Sequence, residues 1–485
     1  MRILLGIVIV LLLFPITAKT ADHPRVNDVH SQMNLTQVDS IVKPKTMGEI
    51  QSIIRKAKKD KKSISIAGAR HAMGGQQFGE NSILMDMSDM KRVLRFNPKN
   101  GIIEVEAGIQ WPDLVAYLLE AQKGKWPQWG IIQKQTGADR LSIGGALSAN
   151  AHGRGLKFKP FIDNVESFTL IDAEGKLHTC NRKENYEIFR LAIGGYGLFG
   201  VIPTIQLRLM PRTKLERVVQ VTDLKELMPS FEKRISEGFL FGDFQYDINS
   251  GSETFMKRGV FSCYKPVDDK IPMPEIQKEL STSNWDNLYS LAHSNKAEAW
   301  NVYSQYYLST NGQRYWSDIH QMSVYTDNYH EAIDKKMGAT VKGNEMITEI
   351  DVQRESLSDF MTEVAKKFQE EKTNVIYGTV RLIEKDEECF LTWAKDSYAC
   401  VIFNLHVDQN VEGLEKAKRN FRFLIDMAIK YKGSYFLTYH RFATREQVLA
   451  CYPQFPEFLK LKKKYDPEER FQSEWYRHYK KMFAN

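Results

Sequence analysis

The sequence predicts an α+β fold in two parts, and three observations carry the prediction. With 485 residues and 42% hydrophobic content, the chain can bury two ordinary cores or one large elaborated one. Short alternating strands, amphipathic helices and three glycine-rich loops crowd the region up to about Arg212. From about Thr213 glycines thin out and aromatic residues become frequent. Charged residues make up 26%, with 67 Lys+Arg against 60 Asp+Glu, the composition of a folded chain and not of a disordered one. A formal charge of +7 over this length is too dilute for a nucleic-acid clamp, so no nucleic-acid partner is expected.

Residues 1–21, MRILLGIVIVLLLFPITAKTA, place one Arg before an apolar run from Ile3 to Ile16 and end in small and polar residues. This reads as a signal peptide cleaved near Ala18 or Ala21, giving an exported, periplasmic or secreted protein. A retained anchor over residues 3–18 is the alternative, and no stable membrane span is expected elsewhere. A polar arm or linker follows to about Gln37. Thr46 with Glu49 forms a capping box for a helix whose apolar face is Ile50, Ile53, Ile54 and Ala57. Strands follow at Ser63–Ala67, Ile83–Met87 and Gly101–Ala107, then a helix at Trp111–Ala121 and a hairpin of Val165–Ile171 with Leu177–Cys180 around Glu174-Gly175. Lys265–Asn295 reads as a polar stretch. Trp300, Tyr303, Tyr306, Tyr307, Tyr315, Trp316, Tyr325 and Tyr329 read either as core aromatics or as a stacking surface over a sugar or ring. Leu414, Ala417, Phe421, Leu424 and Ala428 form one face of a helix ended by Gly433.

Several chemistries find no motif. There is no Gly-x-Ser-x-Gly elbow, His-Glu-x-x-His or Cys-x-x-Cys, and the 11 histidines are scattered, so no metal site is expected. Gly195, Gly197 and Gly200 have Rossmann spacing but lead into a strand, which rules that reading out. Of five cysteines, Cys389 and Cys400 are the one pair considered for a bridge, buried free thiols being the other reading. Glycine costs conformational entropy, so loops as rich as AGARHAMGGQQFGE, GADRLSIGGALSANAHGRG and AIGGYGLFG suggest backbone brought close to an extended ligand.

In this order, SIAGARHAMGGQ, ILMDMSDM, GIIEVEAG, LSIGGALSANAHGRG, GGYGLFGVIPTIQLRL and the terminal YPQFPEFLKLKKKYDPEERFQSEWYRHY resemble FAD-linked oxidoreductases of the vanillyl-alcohol oxidase superfamily, with its PCMH-type FAD-binding domain. Within it the chain is similar to the aldonolactone oxidase and alditol oxidase branch. The resemblance implies a two-part FAD-binding domain, residues 39–212 completed by 436–485, with an inserted α+β cap or substrate domain at 213–435. It also implies FAD as cofactor. The loop Ala67, Gly68, Ala69, Arg70, His71, Ala72 and Met73 would wrap the pyrophosphate. Ser142, Gly144, Gly145, Ser148, Asn150, His152 and Gly153 would line the flavin and ribityl chain, although His152 also reads as structural. Val201 and Ile202 would border the adenosine. His71 matches a histidine joined covalently to the flavin in alditol oxidase-like members; a non-covalent contact is the alternative, and Ala72 replaces the usual Ser.

The substrate side departs from the pattern. Where the branch has Glu-x-Arg, this chain reads YGTVRLIE, keeping Arg381 with Thr379 in place of Glu; Tyr439, followed by His440, stands where a Lys is usual. The implied activity is oxidation of a hydroxyl-bearing, sugar-like small molecule by hydride transfer to flavin N5. Tyr439 or His440 would take the proton, Arg381 would hold developing negative charge, and oxygen or another acceptor would take the electrons. Alternatives are a prenyl-linked sugar oxidase, a sterol-reductase-like member, or a non-catalytic flavin electron carrier.

Overall fold

The Thr46 hydroxyl accepts the Glu49 N–H and the Glu49 carboxylate accepts the Lys45 N–H, closing the start of the helix Met47–Lys59. In the computed structural model, which describes residues 23–323 and 329–484, this helix buries Ile50, Ile54 and Ala57 on a parallel sheet. The leader and Tyr325 lie outside the described residues. The sheet has Ile83–Asp86 between Ser40–Val42 and Ile64–Ala67. The far end of the chain joins it: Ile64 N–H donates to Arg470 O at 2.7 Å and Gln472 N–H donates to Ile64 O at 2.9 Å. Asp466 holds that segment, accepting the Arg470 and Phe471 N–H groups at 2.8 Å and a hydrogen bond from the fully buried Lys462.

A second, antiparallel sheet runs in the order Leu177–Asn181, Val165–Ile171, Thr204–Arg208, Ile102–Glu106, Val93–Asn97. The first two strands form the hairpin that Glu174-Gly175 turns, with Gly175 at φ +80°. Ile103, Val105, Phe168, Leu170, Ile205 and Leu207 share one core with Trp111, Leu114 and Leu118 of the helix Trp111–Ala121.

The largest sheet has eight antiparallel strands: Arg314–Trp316, Lys214–Asp223, Arg258–Pro266, Phe241–Tyr246, Val375–Ile383, Tyr398–Asp408, Gly343–Gln353 and Ser434–Tyr435. Strand alternation splits its side chains between two faces. Phe244, Val380, Val401, Phe403 and Ile350 join the buried core built with the helices Leu357–Glu370 and Val411–Lys430. Gln245, Thr379, Ile402 and Glu349 form one row across the opposite face, since Gln245 pairs with Thr379, and Thr379 and Glu349 both pair with Ile402. The sheet thus offers a polar face to whatever lies in front of it.

Two sequence expectations need correction. Residues 23–37 are not an arm: Arg25–Val26 pairs with Thr36–Gln37, and Asp28 accepts the N–H groups of His30, Ser31, Gln32 and Met33. The polar stretch Lys265–Asn295 contains the helix Thr282–Ser294, opened by a Ser281–Asn284 capping box. The cysteines follow the free-thiol reading: all five are buried and free. Cys389 donates its thiol hydrogen to Ile193 O at 3.0 Å from a loop, while Cys400 sits within a strand opposite Asp351, so no bridge joins them. No helix of the described residues is long and apolar enough to cross a membrane.

Candidate active site

One cavity of about 830 Å³ lies between the glycine-rich loops and the polar face of the large sheet, within the range of roughly 300–1,000 Å³ usual for ligand and cofactor sites. Its loop side begins where Ile64–Ala67 ends. Arg70 turns the chain through φ +60°, Val29 N–H is bonded to Arg70 O, and Met73 N–H reaches Thr438 O. A left-handed residue in such a loop turns successive N–H groups toward one concavity, the geometry that receives a phosphate. Gly68, Ala69, Arg70, His71, Ala72 and Met73 line the cavity, as do Ser142, Gly144, Gly145, Ser148, His152 and Ile202.

Ala67, Asn150, Gly153 and Val201 do not line it. Ala67 and Val201 lie in apolar clusters. Asn150 is tied to Asp386 and to the Ile162 N–H, and Gly153 N–H to Gln133. They hold the wall from behind.

The glycines do two different jobs. A Cβ on Gly68 would stand 2.1 Å from Ser142 Oγ, and one on Gly144 would stand 2.9 Å from Ala107 Cβ, so these two let the loops pack on one another. A Cβ on Gly145 would meet only Ser142 Oγ, at 3.1 Å, and would otherwise occupy cavity space. This opening, the turned Arg70 loop and the size of the cavity fit FAD, whose pyrophosphate needs backbone donors in close approach.

His71 Nδ1 lies 2.9 Å from His30 Nε2. Burial, reinforced by the neighbouring His30 and Arg70, draws its pKa down to about 3, so the imidazole is uncharged. A neutral ring is the nucleophilic form.

Facing the loops, Glu349 is buried with one carboxylate oxygen 2.8 Å from His152 Nε2 and the other accepting the Tyr439 hydroxyl at 3.4 Å. Burial and the nearby Glu349 charge push the Tyr439 phenol well above its usual range, so it stays protonated. Arg381 is buried, lines the cavity, and has no partner for Nε; Thr379 Oγ1, fully buried, is also unpartnered. Buried polar groups are normally satisfied, so the Arg381 guanidinium awaits a polar ligand, whereas Thr379 does not line the cavity. His440 does not line the cavity. It stacks on Phe442, and burial takes its pKa down to about 4.

The structure therefore brings Arg381 and Tyr439 together and leaves His440 behind the wall. Sequence inspection missed Glu349, because the strand carrying it is 30 residues before Thr379 and only sheet pairing puts both opposite Ile402. His30 was missed too, hidden in a segment with few apolar residues.

Part of the cavity wall is aromatic. Trp285, Trp300, Tyr303, Tyr306, Tyr307, Tyr315 and Tyr377 line it. Arg217 lies among them, 4.7 Å from the Tyr315 ring centre and bonded to the Tyr264 hydroxyl at 2.6 Å. Arg154 faces Asp243 at 3.4 Å. Of the aromatic cluster in the sequence, Trp300, Tyr303, Tyr306, Tyr307, Tyr315 and Tyr329 line the cavity, while Trp316 packs against Arg212 instead.

Residues 38–181 match the FAD binding domain family, and residues 299–479 match the D-arabinono-1,4-lactone oxidase family. An uncharacterised oxidoreductase of Rhodococcoides fascians is 30% identical over 169 residues, covering 35% of this chain and 37% of that protein. The L-gulonolactone oxidase of Mus musculus is 26% identical over 42% of this chain and 46% of its own length. Cytokinin dehydrogenase 9 of Oryza sativa subsp. japonica is 27% identical over 37% of this chain and 35% of its own. The chain thus spans less than half the length of each of these relatives.

Proposed function

We propose, from the premise that this chain is a FAD-linked oxidoreductase carrying both the FAD binding domain and the D-arabinono-1,4-lactone oxidase region, that it oxidises a hydroxyl-bearing carbon of a sugar-like small molecule. The observation that carries this reading is the His152–Glu349–Tyr439 chain lining the cavity with Arg381, whose Nε has no partner. When bound, FAD supplies a hydride acceptor at N5.

The protein's own residues handle the rest. Glu349 accepts the substrate hydroxyl proton, directly or through the Tyr439 phenol, and His152 fixes the carboxylate while it does so. Arg381 offers donors to the substrate oxygen as negative charge gathers on it. The loop Gly68–Met73 and Gly145 hold the cofactor, with Ser142, Ser148 and Ile202 completing the wall. Residues 39–212 and 436–485 serve the cofactor, and 213–435 the substrate. The electrons leave to oxygen or another acceptor.

The test is anaerobic reduction of the bound flavin by a panel of alditols, aldonolactones and simple alcohols. At least one should bleach the flavin, and Glu349→Gln should slow that step by about 10²–10⁴-fold. No reduction by any of the panel would favour the electron-carrier alternative.

The aromatic part of the cavity wall supports a second reading, a substrate with a planar or apolar portion stacked beside its hydroxyl group. Prenyl-linked sugars in the same panel test it. The apolar leader further supports export, with a mature N-terminus between Lys19 and His23. An intact Met1 on soluble cytoplasmic protein would overturn that placement.

A further inference from the structure

Four residues along the strand from Glu349, three residues distant in sequence converge. His293 closes the helix Thr282–Ser294, Glu345 lies on the strand Gly343–Gln353, and His406 is its direct cross-strand partner on Tyr398–Asp408. One donor atom from each falls within 4.8 Å of the others. Glu345 lines the cavity.

The contacts around the three residues orient them as ligands are oriented. His293 Nδ1 lies 2.8 Å from Tyr289 O, and a carbonyl only accepts, so Nδ1 carries the hydrogen. The free Nε2 lies 3.0 Å from Glu345 Oε1, without hydrogen-bond geometry for either atom. Two acceptors facing each other at that distance, both buried, need a positive charge between or beside them. The other Glu345 oxygen is held by Asn404 Nδ2 at 2.8 Å and by the Tyr329 hydroxyl. His406 presents Nε2 to Asp408 at 3.6 Å and leaves Nδ1 buried and unpartnered. His293, bonded through Nδ1 to a carbonyl with Nε2 turned to the cluster, has the usual arrangement behind a metal.

We propose that His293, Glu345 and His406 bind a divalent transition-metal ion of the zinc class. Two imidazoles and a carboxylate match its preferred donors and leave a fourth position open toward the cavity. Tetrahedral bonds of about 2.0–2.2 Å require donors roughly 3.3 Å apart, so the His293–Glu345 pair is already at the right separation. The ion would pin the helix Thr282–Ser294 to the sheet beside the cavity.

The competing arrangement is an imidazolium of His293 paired with Glu345 and no ion. Tag-free, FAD-loaded protein is dialysed against chelator, then titrated with zinc and, separately, with cobalt. We expect one zinc per chain, a raised melting temperature with excess zinc, and cobalt ligand-field bands to the red of the flavin absorption. His293→Ala, Glu345→Gln and His406→Ala should each weaken zinc binding at least 10-fold while retaining FAD. His178→Ala, which breaks a separate His178–Asp172 pair, should leave the stoichiometry unchanged. Wild-type protein that binds neither ion stoichiometrically and gives no ligand-field bands overturns the proposal, and because it needs no variant, misfolding cannot produce that result.

Discussion

Gly145 and His71 separate two ways in which a residue serves a cofactor. Gly145 contributes by having no side chain: the space its Cβ would take is cavity and not protein. Gly145→Leu should therefore yield folded but colourless protein, with thermal stability close to that of wild type stripped of FAD. Gly68→Leu should differ, because its side chain would strike Ser142 and disturb the loop itself. His71 contributes a neutral imidazole held 2.9 Å from His30. If that ring is joined to the flavin, fluorescence will migrate with the polypeptide on a denaturing gel. His71→Ala should then release all flavin on acid precipitation while the native protein stays yellow. Fluorescence absent from the wild-type band would reduce His71 to a non-covalent contact.

Among the elements, those with local signals were legible in the sequence and those defined by pairing were not. Thr46 and Glu49 mark a helix start within four residues, and the Glu174-Gly175 turn lies between two alternating runs, so neighbouring residues alone defined both. The helix Thr282–Ser294 was missed because most of its residues are exposed or half-buried, with only Leu288, Ser290 and Ala292 buried, so no apolar stripe marks it. Glu349 was missed for a different reason. Thr379 in the motif position suggested a lost carboxylate, yet the same row of the sheet carries one two strands away. Sheet register is non-local, and no spacing rule in one strand reports it.

The helix Val411–Lys430 shows the local case quantitatively. Asn410 accepts the Gly413 N–H at 2.8 Å, and the helix buries Ala417, Phe421, Leu424 and Ala428 behind the large sheet. Asn410→Ala should cost about 1 kcal/mol. It should lower the urea midpoint without changing the slope or the FAD content, since the cap lies on the side of the sheet away from the cavity.

At the scale of the whole molecule, the last 50 residues supply Tyr439 to the cavity and a strand-like edge at Phe471 to the first sheet, so both parts depend on one C-terminal stretch. Two histidines are enclosed there. Burial lowers His440 to about 4, and burial together with Arg441 lowers His478 to about 4. Each is a base whose folded pKa lies below the unfolded value near 6.5, so between those limits the unfolded chain binds a proton that the folded chain does not. Stability is therefore lost as pH falls from 6.5 toward 4. For His440, fully enclosed, the slope approaches about 1.4 kcal/mol per pH unit; for His478, partly solvated, it is smaller. Glu469 acts in another window: burial opposes its ionisation, but hydrogen bonds from Lys480 and Tyr476 hold it down to about 2, so its contribution is present above the ordinary carboxylate range and is lost only below it. Urea unfolding between pH 5 and 7 thus reads the histidines. His440→Gln should flatten the dependence by close to one proton, and an unchanged slope would show that His440 takes up its proton equally in the folded and unfolded chain.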